Sequence, residues 1–273
     1  MSHTYVIFIS KEQARLVKVS TRLHPGGNVI KMNEFNEHGL ANGWATFVEN
    51  VQVSDSHGRS LKVIAKENSQ WELQGYKEGV VNLSYQVNLK HDLFIPAIKG
   101  GDNGAAYAND DGVMWAGRAL FIGGNPTTNI SIRFELPKNW NVTTQWRKLT
   151  NKKYTFKADK TKDLFYSAFF AGTHKNTELI TGNVSLRIAM SGKFTDEMST
   201  KIKEQVEKYF EYYGTRYKSP LKAQMVLIMG DRNYGGGEVM GKAISISLSP
   251  ETKKEMAINN GMTNNTSRLI THE

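Results

Sequence analysis

Apolar and polar residues alternate along much of the first two-thirds of the chain. Three clear runs with apolar residues at every second position are 81–89, 130–136 and 184–190. A period of two buries one face of a strand and exposes the other, which is typical of antiparallel sheets packed into a sandwich. Groups of Gly, Pro, Asn and Ser separate the runs and indicate turns. We therefore predict an antiparallel β-sandwich domain with no helix before Phe194.

The period changes from two to that of a helix after the third run. Apolar residues recur at helical spacing over 198–213, and two acidic residues precede them, where the positive end of the helix dipole favours anions. Thr195 is suited to cap the start of this helix, and Gly214 is suited to end it. The pattern thus predicts a helix between these two residues.

The remaining residues alternate between strand and helix signals. The expected elements are a strand over 223–229, a glycine-rich connection at 235–237, a strand over 244–248, a helix over 250–259 and a final helix starting near 264–266. We expect two domains: a β-sandwich over 1–193 and a small α+β segment over 194–273. The fold class predicted for the whole chain is therefore mostly β.

Composition narrows the classes of function. The 273 residues carry a net charge of +9, but the lysines and arginines are scattered, so we favour a solvated basic surface over a nucleic-acid interface. The chain has no cysteine, which excludes disulfides, thiol catalysis and Cys-ligated metals. No run of about 18 apolar residues predicts a membrane span. The localisation stays open between cytoplasmic and, if a signal peptide was removed, periplasmic or secreted.

Two short motifs resemble ligand-binding loops. Residues 236–242 match the spacing of a phosphate-binding loop, but Ala243 replaces the Ser or Thr that holds Mg²⁺, and a strand pattern follows where a helix is needed. A hairpin turn is the better interpretation. The acidic residues of 102–112 lack the spacing of a calcium loop, and Arg118 stands where a glutamate should close it.

The last two residues, His272 and Glu273, match the first two letters of H-E-x-x-H. In that motif two histidines one helical turn apart bind a single Zn²⁺, and the glutamate acts as general base. A dipeptide carries little information alone. The order of elements before it, a β domain, helix, strand, glycine loop, strand and helix, favours the zinc interpretation.

Four local stretches extend the likeness. They are KENSQW at 66–71, VNLSYQV at 81–87, FELPKNWNV at 134–142 and ITHE at 270–273. With the order of elements, they make the chain resemble the glycyl-aminopeptidase-type zinc metallopeptidases, relatives of the thermolysin-like peptidases that bear an N-terminal β domain. The resemblance implies that residues 194–273 are the incomplete start of a catalytic domain.

The resemblance also implies roles for particular residues. His272 would be a zinc ligand, and Glu273 would be the base that activates the bound water. Gly235, Gly236 and Gly237 would line the peptide cleft, and Glu238 would bind the free amine of the substrate. The family usually places one residue between the glycines and this glutamate and a histidine after it, whereas Glu238 directly follows Gly237 here.

Two functions remain open from the sequence. The first is the N-terminal portion of a zinc aminopeptidase-like enzyme that acts on peptides. Catalytic zinc needs three protein ligands, so we expect this chain alone to bind zinc weakly and to be inactive. The second is a non-catalytic β-sandwich binding protein. The incomplete α+β segment also predicts self-association through exposed apolar surface.

Overall fold

The computed structural model describes residues 3–33, 40, 42–89, 106–181, 184–191, 196–217, 224–231, 236–259, 263 and 264. Along the first part of the chain the strands are β1 (Thr4–Phe8), β2 (Leu16–Leu23), β3 (Val29–Lys31), β4 (Val48–Ser54), β5 (Ser60–Lys66), β6 (Gln70–Gln74), β7 (Val81–Asn88), β8 (Tyr107–Asn109), β9 (Gly112–Ala116), β10 (Thr128–Glu135), β11 (Asn141–Thr144), β12 (Arg147–Lys148), β13 (Thr155–Lys160) and β14 (Ala168–Gly172). Short 3₁₀ turns occur at Gly43–Phe47 and Gly117–Ala119.

Later elements form a separate sheet with its helices. They are β15 (Lys175–Thr181), β16 (Val184–Met190), β17 (Gln224–Asp231), β18 (Gly236–Met240), β19 (Ala243–Leu248) and the helices α2 (Asp196–Tyr217) and α3 (Pro250–Asn259). Helix α1 (Thr161–Phe165) comes earlier, between β13 and β14. The expectation of no helix before Phe194 is wrong on this point, because five residues are too few to show helical periodicity.

Three sheets are stacked in layers. The ten-stranded sheet has the order β12-β13-β10-β1-β2-β7-β4-β5-β6-β3, the four-stranded sheet β11-β14-β9-β8, and the five-stranded sheet β15-β16-β17-β19-β18. Most neighbours are antiparallel, and the exceptions are β1 with β10 and the β16-β17-β19 group. The predicted mostly β fold with an antiparallel β-sandwich is confirmed.

The four-stranded sheet is covered on both faces. Every residue of β9 and β14 is buried. Trp115 and Phe169 face the main core, with the inward side chains of β1, β2 and β7. Met114 and Phe170 face the other way and pack against Ala189, Met240 and Ala243 of the five-stranded sheet. This sheet is therefore the middle layer that joins the two halves of the molecule.

The five-stranded sheet carries its helices on the far side. Ile244, Ile246 and Leu248 of β19 pack with Ile202 and Val206 of α2, and with Met256 of α3. The predicted helix is confirmed, but Gly214 does not end it, since α2 continues to Tyr217. Gly214 therefore lies inside the helix, with open space where a Cβ would stand.

The change of sheet comes earlier in the chain than residue 193. Strands β15 and β16 belong to the five-stranded sheet, and only Thr173 and His174 separate β15 from β14 of the middle sheet. The sequence divided the chain where a helix begins. Alternating strands look alike whichever sheet they join, so the pattern alone does not show this crossing point.

Candidate functional site

The glycine-rich segment forms the edge strand of the five-stranded sheet. Strand β18 pairs antiparallel with β19, with Met240 opposite Ala243. Only Gly241 and Lys242 lie between the paired residues, so the connection is a two-residue hairpin turn. A strand therefore follows Lys242 where a phosphate-binding loop needs a helix, and the hairpin interpretation of the sequence is confirmed.

Gly241 is needed for the shape of this turn. Its φ is +62°, and a Cβ at this position would lie 2.8 Å from the backbone oxygen of Tyr166. We expect Gly241→Ala to lower the free energy of unfolding by about 1–2 kcal/mol, because a side chain strains both the backbone and this contact. Chemical denaturation gives the measurement. The matched control is Gly214→Ala in α2, which should raise stability by about 0.5–1 kcal/mol. Equal effects of the two substitutions would contradict the role given to Gly241.

Glu238 is held by an arginine from the other half of the molecule. Arg118 lies in the 3₁₀ turn after β9, and its side chain is 3% exposed. Its two terminal nitrogens contact the two carboxylate oxygens of Glu238 at 2.5 and 2.8 Å. Paired contacts of this kind are the strong form of a charged hydrogen bond. The edge strand is thereby tied to the middle sheet.

A glutamine makes a second connection between the halves. The Gln145 side-chain amide donates to the backbone oxygens of Met240, at 2.9 Å, and Tyr166, at 2.8 Å. Its carbonyl oxygen accepts from the Ala168 amide at 2.9 Å. One side chain thus links the end of β18 to the start of β14. Together with Arg118, it sets the position of the edge strand.

Small and flexible side chains fill the space between these polar contacts. Ala116 and Ala168 of the middle sheet meet Ala189 and Ala243 of the five-stranded sheet. Ser245, opposite Glu238 on β19, donates to the Met114 sulfur at 3.9 Å. Alanines let the two sheets approach closely, so little room is left between them at this point.

A second polar cluster surrounds the crossing point between the sheets. The Thr143 hydroxyl donates to Asn176 at 2.5 Å and therefore accepts from the His174 ring, whose Nε2 lies 2.7 Å away. Burial lowers the pKa of His174 to about 4, against smaller opposite effects of hydrogen bonds with Asn176 and the Gly172 backbone. Arg187 donates to the Thr144 oxygen at 2.6 Å. At neutral pH His174 is thus an uncharged link of the interface.

The structure gives the position of some of the predicted site residues but does not test their roles. It places Gly236, Gly237 and Glu238 on the edge strand. Gly235, His272 and Glu273 lie outside the described residues. Within the described ranges, no three His, Asp or Glu side chains are close enough together to hold a metal ion. Nor does any described helix have the length and apolar character needed to cross a membrane.

The sequence did not point to Arg118 as a partner of the candidate site. A signal was nevertheless present, because Arg118 is the single charged residue in the stretch 113–124. A charge in such apolar surroundings is almost never fully buried without a partner. This setting could have marked Arg118 as a residue that needs a polar partner if buried, but it does not show that the partner is Glu238, 120 residues away.

Two comparisons with known proteins agree with this architecture. The family described as the Peptidase M61 N-terminal domain matches residues 40–173. A crystal structure of an aminopeptidase N family protein from Idiomarina loihiensis has the same fold, with a TM-score of 0.74 at 17% sequence identity. The two findings support a peptidase-family relationship. None of the curated proteins matches the chain.

The structural match has unequal coverage. It includes 92% of this chain but only 43% of the aminopeptidase N family structure. The chain therefore spans less than half the length of that relative. The family match ends at residue 173, next to His174 and the crossing into the five-stranded sheet. The fold likeness continues beyond this point into the sheet that carries β18.

Proposed function

We propose that this chain is the N-terminal portion of a zinc-dependent aminopeptidase-like metallopeptidase. The observation that carries the proposal is the glycine-rich edge strand β18, which holds Glu238 and is fixed by Arg118 and Gln145 of the other half. The family match and the fold likeness support a peptidase-like N-terminal portion. The reaction proposed for the full-length protein is hydrolysis of peptide bonds.

In this proposal β18 is the surface on which a peptide lies. An extended peptide adds to the edge of a sheet through main-chain hydrogen bonds. Glycines such as Gly236 and Gly237 allow another backbone to approach closely, because they carry no side chain. A rigid edge loses less entropy when the peptide binds, and the contacts of Arg118 and Gln145 make this edge rigid.

Amine binding by Glu238 stays a prediction. Both carboxylate oxygens of Glu238 already contact the Arg118 guanidinium. A substrate amine reaching this carboxylate would share it with a cation already in place, and the two positive charges would repel each other. The ion pair therefore weakens the attraction that Glu238 offers to a free amine.

Zinc chemistry is proposed for His272 and Glu273. When bound, the metal polarises a carbonyl and lowers the pKa of a coordinated water. His272 would supply one ligand, and the Glu273 carboxylate would accept the proton from the water. Catalytic zinc needs three protein ligands and His272 would supply one, so we expect no zinc-dependent turnover from residues 1–273 alone.

Two hydrolysis assays test the proposal, one on variants of the full-length protein and one on residues 1–273 alone. In the full-length protein, Glu273→Gln should reduce peptide hydrolysis by about 10²–10⁴-fold with unchanged zinc content, because it removes the general base. The control is Glu255→Gln on the exposed side of α3, which should leave hydrolysis unchanged. Residues 1–273 alone should show no hydrolysis that a chelator abolishes and zinc restores.

Three results would count against the proposal. Full-length protein without zinc-dependent hydrolysis would favour the non-catalytic binding protein. A Glu273→Gln variant as active as the Glu255→Gln control would remove Glu273 from the mechanism. Zinc-dependent turnover by residues 1–273 would contradict the requirement for ligands from elsewhere.

A further inference from the structure

The outer face of the ten-stranded sheet contains a trough distant from β18. Two adjoining grooves of about 560 and 270 Å³ form it, and they share Val6, Ser20, Gln52 and Ser84. Strands β1, β2, β4 and β7 supply the floor, and Gly58 of the β4–β5 turn and Ser60 at the start of β5 line one side. The trough therefore runs along neighbouring strands at the centre of the sheet.

The register of the strands explains its shape. Ser20 of β2 lies between Val6 of β1 and Ser84 of β7. These short side chains form the middle of the trough, whereas the long side chains of Arg22 and Lys18 lie two residues away in either direction on β2. Four residues of a strand span roughly 13 Å. A linear ligand of a few units is thus the shape that fits.

The trough is positively charged. Glu135 is the one carboxylate among the described residues that line it, and Arg133 neutralises it at 2.8 Å. Arg22 and Lys18 make no ion pair with the residues that the structure describes. Lys18 lies 5.8 Å from the centre of the Phe8 ring. Two cations at opposite ends therefore remain available to an anionic ligand.

The hydrogen-bonding groups of the trough belong to side chains. Strands β1, β2 and β7, which form most of the floor, each pair with a neighbour on both sides, so their backbone groups are largely used within the sheet. Ser20, Ser84 and Gln52 make no side-chain hydrogen bond with described residues. A peptide lying here would find no free strand edge to pair with. A sugar chain presents hydroxyl groups on every ring and suits such a surface.

We propose that this trough binds an acidic oligosaccharide. Its carboxylate or sulfate groups contact Arg22 and Lys18, and its hydroxyl groups contact the serine and glutamine side chains between them. Phe8, 40% exposed, offers an apolar surface to one face of a sugar ring. This binding site is independent of the proposed peptidase function and of β18.

Titration of tetragalacturonate into ¹⁵N-labelled residues 1–273 tests the proposal. Backbone amide shifts should change at Ser20 and Ser84, and binding should weaken as salt rises. Arg22→Gln should weaken binding about tenfold, because one charged hydrogen bond is lost, and adding Lys18→Gln should weaken it further. The control Lys254→Gln removes one exposed positive charge from α3 and should leave the affinity unchanged.

The comparison ligands make the result decisive. Cellotetraose, a neutral tetrasaccharide, should bind at least tenfold more weakly than tetragalacturonate. Equal binding of the two would overturn the role of charge, and equal binding of hexaglutamate would overturn the choice of a sugar. Absence of shift changes at millimolar tetragalacturonate, or an Arg22→Gln variant that binds like Lys254→Gln, would also reject the site.

Discussion

Replacing Glu238 with alanine should lower the free energy of unfolding by about 3–5 kcal/mol, because it leaves the buried Arg118 guanidinium without its carboxylate. The Arg118 side chain is 3% exposed, whereas that of Glu238 is 25% exposed. Water can partly solvate the Glu238 carboxylate when Arg118 is replaced, whereas little water reaches the Arg118 guanidinium when Glu238 is replaced. Arg118→Met should therefore cost less than Glu238→Ala. Denaturant unfolding of both variants measures the difference.

The double variant and a surface pair provide the controls. Arg118→Met combined with Glu238→Ala should lose clearly less stability than the sum of the single variants, because both charges are then removed together. Glu72→Ala breaks the Lys66–Glu72 pair, in which the side chains are 51% and 31% exposed, and should cost at most about 1 kcal/mol. If Glu238→Ala cost no more than Glu72→Ala, the link between the sheets would contribute little to stability.

Acid should weaken the molecule through His174. Its pKa is lowered from 6.5 to about 4 in the folded protein, so between these values the unfolded chain binds a proton that the folded chain does not. The contribution of uncharged His174 to the free energy of unfolding is fully present above pH 6.5 and is lost as the pH falls towards 4. Since one pKa unit corresponds to about 1.4 kcal/mol, the loss should reach about 3 kcal/mol.

A residue that does not titrate separates this effect from that of other groups. His174→Gln keeps a side-chain amide that can donate to Thr143 but has no proton to gain in this range. The free energy of unfolding of the native chain should fall more steeply between pH 6.5 and 4 than that of His174→Gln. Parallel curves would show that His174 is not the group responsible.

The sequence predicts individual strands and helices better than it predicts the contacts between the sheets. Alternation predicted β7, β10 and β16, and helical spacing predicted α2, because these patterns depend on residues close together in the chain. Ala243 in place of Ser or Thr, together with the strand pattern that follows it, predicted the hairpin instead of a phosphate loop, and β18 and β19 form that hairpin. Where one face of an element is buried and the other exposed, its sequence pattern is readable.

The contacts between layers were not predictable in the same way. Strands β9 and β14 are buried on both faces and show no alternation, so nothing in their pattern reveals a middle sheet. Glu238 lies 120 residues along the chain from Arg118, and Met240 lies 95 residues from Gln145. Such pairs follow from topology, and a single sequence carries no pairing information over that distance. Only the unusual apolar setting of Arg118 hinted at one of them.

The central position of β1 has a consequence for how the chain is built. Strand β1 lies between β2 and β10, and its register joins Thr4 to Ser131 and Phe8 to Glu135. During synthesis, the edge of β1 that pairs with β10 therefore remains unpaired until more than 120 further residues have emerged. An unpaired strand edge is prone to pair with other chains. The nascent protein thus passes through an interval in which β1 is a site for aggregation or for protection by a chaperone.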